Sequence, residues 1–71
     1  MNIKTIGILG SGQLGRMIAL AAAEMGVRAH IFAPDADDSP AAEVAYRATQ
    51  ANYTDQAALR EFATSIDAVT S

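Results

Sequence analysis

The residues best suited to chemistry stand in one run, Gly10-Ser11-Gly12-Gln13-Leu14-Gly15-Arg16-Met17, directly after the apolar stretch Ile6-Gly7-Ile8-Leu9. Glycines at this spacing suit a tight turn from a strand into a helix. Gly10 permits the turn, Gly12 removes the Cβ that would hold a phosphate away from the backbone, and Gly15 lets the helix lie close to the strand. The first N–H groups of such a helix lack intrahelical acceptors and the helix dipole reinforces them. An anion placed there gains roughly 0.3–1 kcal/mol when exposed and up to about 2 kcal/mol when partly buried. The main chain of residues 12–15 is therefore a candidate anion cradle. Arg16 either pairs with a bound phosphate or points to solvent. The run reads as a binding element, and no catalytic residue is expected in it.

A turn of this kind must be held by a strand before it and a helix after it. Residues 3–9 are apolar and β-branched enough for a strand covered on both faces. From Gln13 the period changes: Leu14, Met17, Ile18, Ala21, Ala22 and Met25 recur at three- and four-residue intervals and predict an inward helical face, with Met17 and Met25 filling the core. Gly26 stands where a left-handed cap belongs. Residues 28–33 form a second strand that Pro34 ends. Ser39-Pro40 is a helix-start signal for a short helix over 41–44. Residues 47–51, lying between helical segments, read as a third strand. Thr54 or Asp55 caps a further helix that turns Ala58, Leu59, Phe62 and Ala63 inward, and residues 66–70 make a fourth strand.

The expected order is β-α-β-α-β-α-β, an α/β fold: a small Rossmann-like parallel sheet with helices on both faces. Ligand sites in such sheets lie beyond the carboxyl ends of the strands, so loops 10–15 and 34–38 share one rim. With no repeat or linker, residues 1–71 read as one small domain or one piece of a larger one.

Composition narrows the partners. A domain of 71 residues buries only about 60% of the surface its unfolded chain exposes. The absence of cysteine removes disulfides, thiolate zinc sites and thiol nucleophiles, and suits a reducing, cytoplasmic setting. No apolar stretch approaches the ~20 residues of a bilayer span, and no signal-peptide pattern is present, so no membrane partner is expected. The net charge is −3 and the five cations, Lys4, Arg16, Arg28, Arg47 and Arg60, are scattered, which argues against nucleic acid. Asp35, Asp37 and Asp38 have oxygens suited to a hard cation, yet beside Ser39-Pro40 they read as a solvated turn, and no metal site is expected. His30, with no acid or thiol nearby in sequence, reads as packed. Tyr53, which could stack on a base or ribose, reads as packing its ring and exposing its hydroxyl.

The glycine spacing also matches a dinucleotide fingerprint, leaving a half-Rossmann NAD(P)-binding module as an alternative. That reading needs an acid at the tip of the second strand to bind the ribose, and Ala33 occupies this position, with Asp35 two residues later beyond a proline. The run 6–17, followed by Asp35, Ser39-Pro40-Ala41, Asn52-Tyr53 and Val69-Thr70, resembles instead the N-terminal, pre-ATP-grasp domain of the N5-carboxyaminoimidazole ribonucleotide synthetases, the ATPase subunit of phosphoribosylaminoimidazole carboxylase. The resemblance covers nearly the whole chain. Gln13-Leu14-Gly15-Arg16-Met17 is its most specific part, since the related formate-dependent glycinamide ribonucleotide transformylases, the other alternative, usually carry Glu-Leu-Gly-Lys there. Ser11 stands where the family commonly has glycine, Ala33 and Asn52 where aspartates are frequent, and Thr49-Gln50 is more polar than the usual strand.

The resemblance implies a three-domain ATP-grasp ligase of purine biosynthesis. Such an enzyme uses ATP and Mg2+ to activate bicarbonate as carboxyphosphate and then carboxylates aminoimidazole ribonucleotide; family members are often homodimers. Here the glycine turn faces the ribonucleotide, with Gln13 and Leu14 nearest it, and the substrate-binding set becomes Gly12, Gln13, Leu14, Gly15 and Arg16. Gln13 adds an amide that both donates and accepts at the helix start. The ATP and Mg2+ sites, and a rim glutamate, are expected beyond residue 71, so residues 1–71 read as one domain of a larger enzyme, with no cofactor site of their own and inactive alone.

Overall fold

The structure is a computed structural model that describes residues 3–70; Met1, Asn2 and Ser71 of the expected domain lie outside the described residues. Four parallel strands, β1 (Thr5–Leu9), β2 (Arg28–Ala33), β3 (Arg47–Gln50) and β4 (Ala68–Thr70), form one sheet in the order β3-β2-β1-β4. Helix α1 (Gln13–Glu24) links β1 to β2, and α2 (Gln56–Thr64) links β3 to β4. The first two crossovers advance in one direction and the third reverses. Right-handed connections therefore put α1 and α2 on opposite faces.

The two faces have different chemistry because strand side chains alternate. Ile8, Ala29, Ile31 and Ala33 meet α1 through Ala19 and Ala22, and Ala36 and Ala41 close the same layer. On the other face Phe62 of α2 lies 5.0 Å from Phe32 and 4.8 Å from His30, ring centre to ring centre. Gly7 is the point of closest approach there: a Cβ at this position would come within 2.5 Å of Ile66 Cδ1 and 2.6 Å of Phe62 Cζ.

α1 corrects the expected inward stripe. Gly15, Ala19 and Ala22 are its buried residues, Ile18 is half-buried, and Leu14, Met17 and Met25 are 64, 65 and 78% exposed. Methionines at 17 and 25 therefore do not fill the core. A helix this close to a sheet turns its smallest residues inward, and the bulky apolar set is left on the flank. The cap at Gly26 forms as expected: φ is +75°, the Gly26 N–H donates to Ala23 O at 3.1 Å and the Val27 N–H to Ala22 O at 2.8 Å.

Between β2 and β3 the short helix expected over 41–44 is reduced to a single turn. A short 3-10 helix, Ala36–Asp38, comes first. Ser39 Oγ then accepts the Ala42 N–H at 3.2 Å, and the Val44 and Ala45 N–H groups both return to Ala41 O, which makes one turn. Too few residues separate Pro40 from β3 to repay the cost of helix nucleation. Strands β1 and β4 are shorter than the apolar runs that predicted them. The Asp67 carboxylate takes the Lys4 and Thr5 N–H groups at 3.0 and 2.9 Å, so this pair of segments is joined by a side chain before the ladder begins. In α2, Asp55 is the cap, accepting from the Ala58 N–H at 3.0 Å. Phe62 is buried and Ala58 and Leu59 half-buried, whereas Ala63, expected inside, is exposed.

His30 is packed. The Ser65 hydroxyl gives its proton to Phe62 O (2.7 Å), so its oxygen accepts from His30 Nδ1–H (2.9 Å), and Nε2 accepts from the Thr49 hydroxyl (2.6 Å). This neutral tautomer ties β2, β3 and α2 together. Burial, and secondarily the Arg47 guanidinium, lowers its pKa from the usual histidine value.

Two predictions follow from these contacts. Gly7→Ala overpacks the α2 face and should lower unfolding stability by about 1–3 kcal/mol in denaturant titration. Because the folded pKa of His30 is depressed, the unfolded chain binds the extra proton first. Its contribution to stability is complete above about pH 6.5 and declines as the pH falls below that value. His30→Gln should remove this slope below about pH 6.5 while lowering the plateau, as read by thermal unfolding across pH.

Candidate functional site

The chain leaves β1 through Gly10, whose φ of +135° is open to glycine and little else. Its N–H stays in the sheet, donating to Phe32 O at 3.0 Å. Gly12 then takes the N-cap position of α1 in extended geometry, with no side chain capping the helix and no acid in the first turn. The first intrahelical bond runs from the Arg16 N–H to Gly12 O at 3.0 Å. The N–H groups of Gln13, Leu14 and Gly15 precede it and have no acceptor among the described residues.

The glycines of the run answer to different needs. Gly10 is fixed by its torsion. A Cβ on Gly15 would rest in ordinary contact with Gly10 O at 3.4 Å and Ala41 Cβ at 3.6 Å. A Cβ on Gly12 would meet nothing within 4 Å, and the torsions there suit any residue. The fold therefore does not call for glycine at 12, and the space beside its main chain is open. A cavity of about 200 Å3 begins there, walled by Leu9, Gly10, Gly12, Leu14 and Ile18. Of the expected site residues, Gly12, Leu14 and Gly15 line this cavity, whereas Gln13 is exposed and does not line it, and Arg16 is half-buried one turn into the helix.

Two residues whose importance the sequence hid are Ser11 and Asp35. The Ser11 hydroxyl, turned inward, donates to Asp35 Oδ1 at 2.5 Å and couples the glycine turn to the loop after β2. The only sequence signal was an acid just past a strand tip. This bond engages the carboxylate that a dinucleotide ribose would require, and Ala33 at the tip is buried. The other two aspartates do not join it: the Asp37 N–H pairs with Gln50 Oε1, and no group of three or more acidic, histidine or cysteine side chains converges among the described residues. Tyr53 packs its ring 6.1 Å from Phe32 and keeps its outer part exposed.

The sequence model of the ribonucleotide synthetase preATP-grasp domain matches residues 3–71. The chain belongs to that family. Among relatives, the bifunctional purine synthesis protein purC/E of Dictyostelium discoideum is 53% identical over 66 residues, covering 93% of this chain and 6% of that one. The N5-carboxyaminoimidazole ribonucleotide synthase of Brucella melitensis is 52% identical over 66 residues, covering 93% of this chain and 18% of that protein. The crystal structure of the Staphylococcus aureus N5-carboxyaminoimidazole synthetase complexed with ADP superposes with a TM-score of 0.88 at 40% identity, over 94% of this chain and 18% of that chain. This preATP-grasp domain thus spans less than a fifth of the length of these relatives. The α/β parallel sheet expected from the sequence is the fold they share.

Within the preATP-grasp domain the needs at Gly10 and Gly12 can be separated experimentally. Gly12→Ser supplies the missing cap and should leave unfolding stability within about 0.5 kcal/mol of the parent. Gly10→Ala, forced to the same positive φ, should cost about 1–3 kcal/mol. Equal losses in the two variants would show that the turn itself requires glycine at 12.

Proposed function

We propose that this domain is the ribonucleotide-binding part of an N5-carboxyaminoimidazole ribonucleotide synthetase, a ligase that carboxylates aminoimidazole ribonucleotide with bicarbonate at the expense of ATP in purine biosynthesis. What carries the reading is the open space at Gly12 beside three unpaired first-turn N–H groups. Such an arrangement receives an anion of phosphate size without displacing any side chain. The names of the relatives supply the substrate class.

In this reading the phosphate end of the ribonucleotide lies against the N–H groups of Gln13, Leu14 and Gly15, with Gly12 leaving room for it. The Gln13 amide orients the sugar, and Arg16 adds positive charge from the first turn. Leu14 contributes an apolar wall at the mouth. The domain positions the substrate and excludes water from one side of it; it holds no group that takes or gives a proton during the reaction.

ATP and Mg2+ belong to other parts of the enzyme in this reading. No convergent carboxylates stand among the described residues, and the first turn of α1 has no acid, so these residues do not fit a magnesium-bound triphosphate. The polypeptide in which the domain works is taken to be a cytoplasmic three-domain enzyme, dimeric through other surfaces.

The test uses the full-length protein. Gly12→Val should weaken aminoimidazole ribonucleotide binding by at least tenfold, about 1.4 kcal/mol, while thermal unfolding stays close to that of the parent. Unchanged affinity with preserved folding would refute the cradle. Stabilisation of the parent by NAD and not by the ribonucleotide would restore the dinucleotide alternative.

A further inference from the structure

Of the apolar residues of α1 and its C-cap, Met17 and Leu20 are exposed elsewhere on the helix, Ile18 packs partly against the core, and four share one flank. Leu14, Ile18, Ala21 and Met25 follow one another at intervals of four, three and four, which sets them in a single row along one flank of the helix. Arg16 and Glu24, the only charged residues of α1, fall off this flank. Beside the row runs a groove of about 280 Å3 with an apolar lining, floored by Ile3 and Ile6 of the β1 side and bounded by Ile18, Ala21 and Met25. Ile18 also walls the cavity at the glycine turn, so the two hollows adjoin end to end.

The sheet beneath is uncovered on the same side. α1 lies over β1 and β2, while Ala68 and Thr70 of β4, in register with Ile6 and Ile8, share the α1 face without a helix above them. Parallel sheets are stable with both faces covered. A 4-3-4 row is the pattern by which one helix receives another in ridges-into-grooves packing. At 1.5 Å per residue, the eleven steps from Leu14 to Met25 rise about 16 Å, or three helical turns.

We propose that this groove is the seat of an uncharged amphipathic helix supplied by the rest of the same polypeptide, packed along α1 and over β1 and β4. Relatives more than five times as long as this chain have ample sequence to provide it. A second copy of the domain is the weaker occupant. The row and its floor offer six side chains, against the roughly 20–30 residues a side of a standard interface between separate molecules. A tethered helix needs far less area, because its docking is intramolecular. The proposal shares with the functional reading only the longer polypeptide and is independent of which ligand the glycine turn holds.

The experiment uses the full-length protein with cysteines outside this domain replaced by serine, since the domain has none of its own. Cysteine is introduced at Ala21→Cys or Met25→Cys in the row, and at Ala23→Cys on the far side of α1. The row positions should react with a maleimide at least about tenfold more slowly than position 23 in the folded protein and equally fast in denaturant. Protection should not change on dilution, and a photo-crosslinking residue at position 25 should join residues of one segment spaced three and four apart within a single chain. Equal rates at all three positions would overturn the proposal. So would protection lost on dilution with crosslinks between chains, or crosslinks alternating every second residue, which would mark a strand.

Discussion

The exit of the chain from β1 at Gly10 constrains everything that follows. One residue at φ +135° turns the backbone so that α1 begins at the carboxyl rim of the sheet and runs back across it, with its first N–H groups facing outward. A residue with a Cβ disfavours that torsion by an amount comparable to a sizeable fraction of the stability of a small domain. The rest of the α1 layer depends on this start. Gly15, Ala19 and Ala22 meet the sheet because the helix begins where it does, and Ala41 can then lie against Gly15 in the second crossover.

The rim is built by opposition between two kinds of hydrogen bonding. Asp35 and Ser11 satisfy each other, and in doing so draw the loop after β2 onto the glycine turn. Gln13, Leu14 and Gly15 are left with donors and no acceptor among the described residues. Satisfied groups brace the turn, and unsatisfied ones define the open face. On the opposite side of the sheet, the His30 network performs a comparable bracing role, joining β2, β3 and α2 through one ring. Its sensitivity to acid is a consequence of burying an ionisable group where no charge is compensated.

Much of the architecture was legible in the sequence because the strand runs, the Gly26 cap and the Asp55 cap are local signals with local causes. The glycine turn and its place on the rim were legible for the same reason. The facing of α1 was not. Periodicity finds apolar rows, but α1 carries two, and only the distance between helix and sheet decides that the small row of Gly15, Ala19 and Ala22 faces inward. The helix expected after Pro40 stops at one turn because start signals do not show how few residues remain before β3. The Ser11–Asp35 bond spans 24 positions, and no local pattern announces it. The Gly7 contact is likewise a tertiary fact: alone in the sequence, that glycine looks like a weak point in a strand, whereas in the fold it makes room for Phe62 and Ile66.

The central claim is that the main-chain N–H groups of Gln13, Leu14 and Gly15 receive the phosphate of a ribonucleotide. The most direct measurement is the 15N–1H spectrum of the full-length protein titrated with aminoimidazole ribonucleotide. The account predicts saturable downfield shifts of these three amide protons as they acquire a charged acceptor, with the same apparent Kd at each. Saturation of binding elsewhere in the protein while these three resonances stay in place would contradict it.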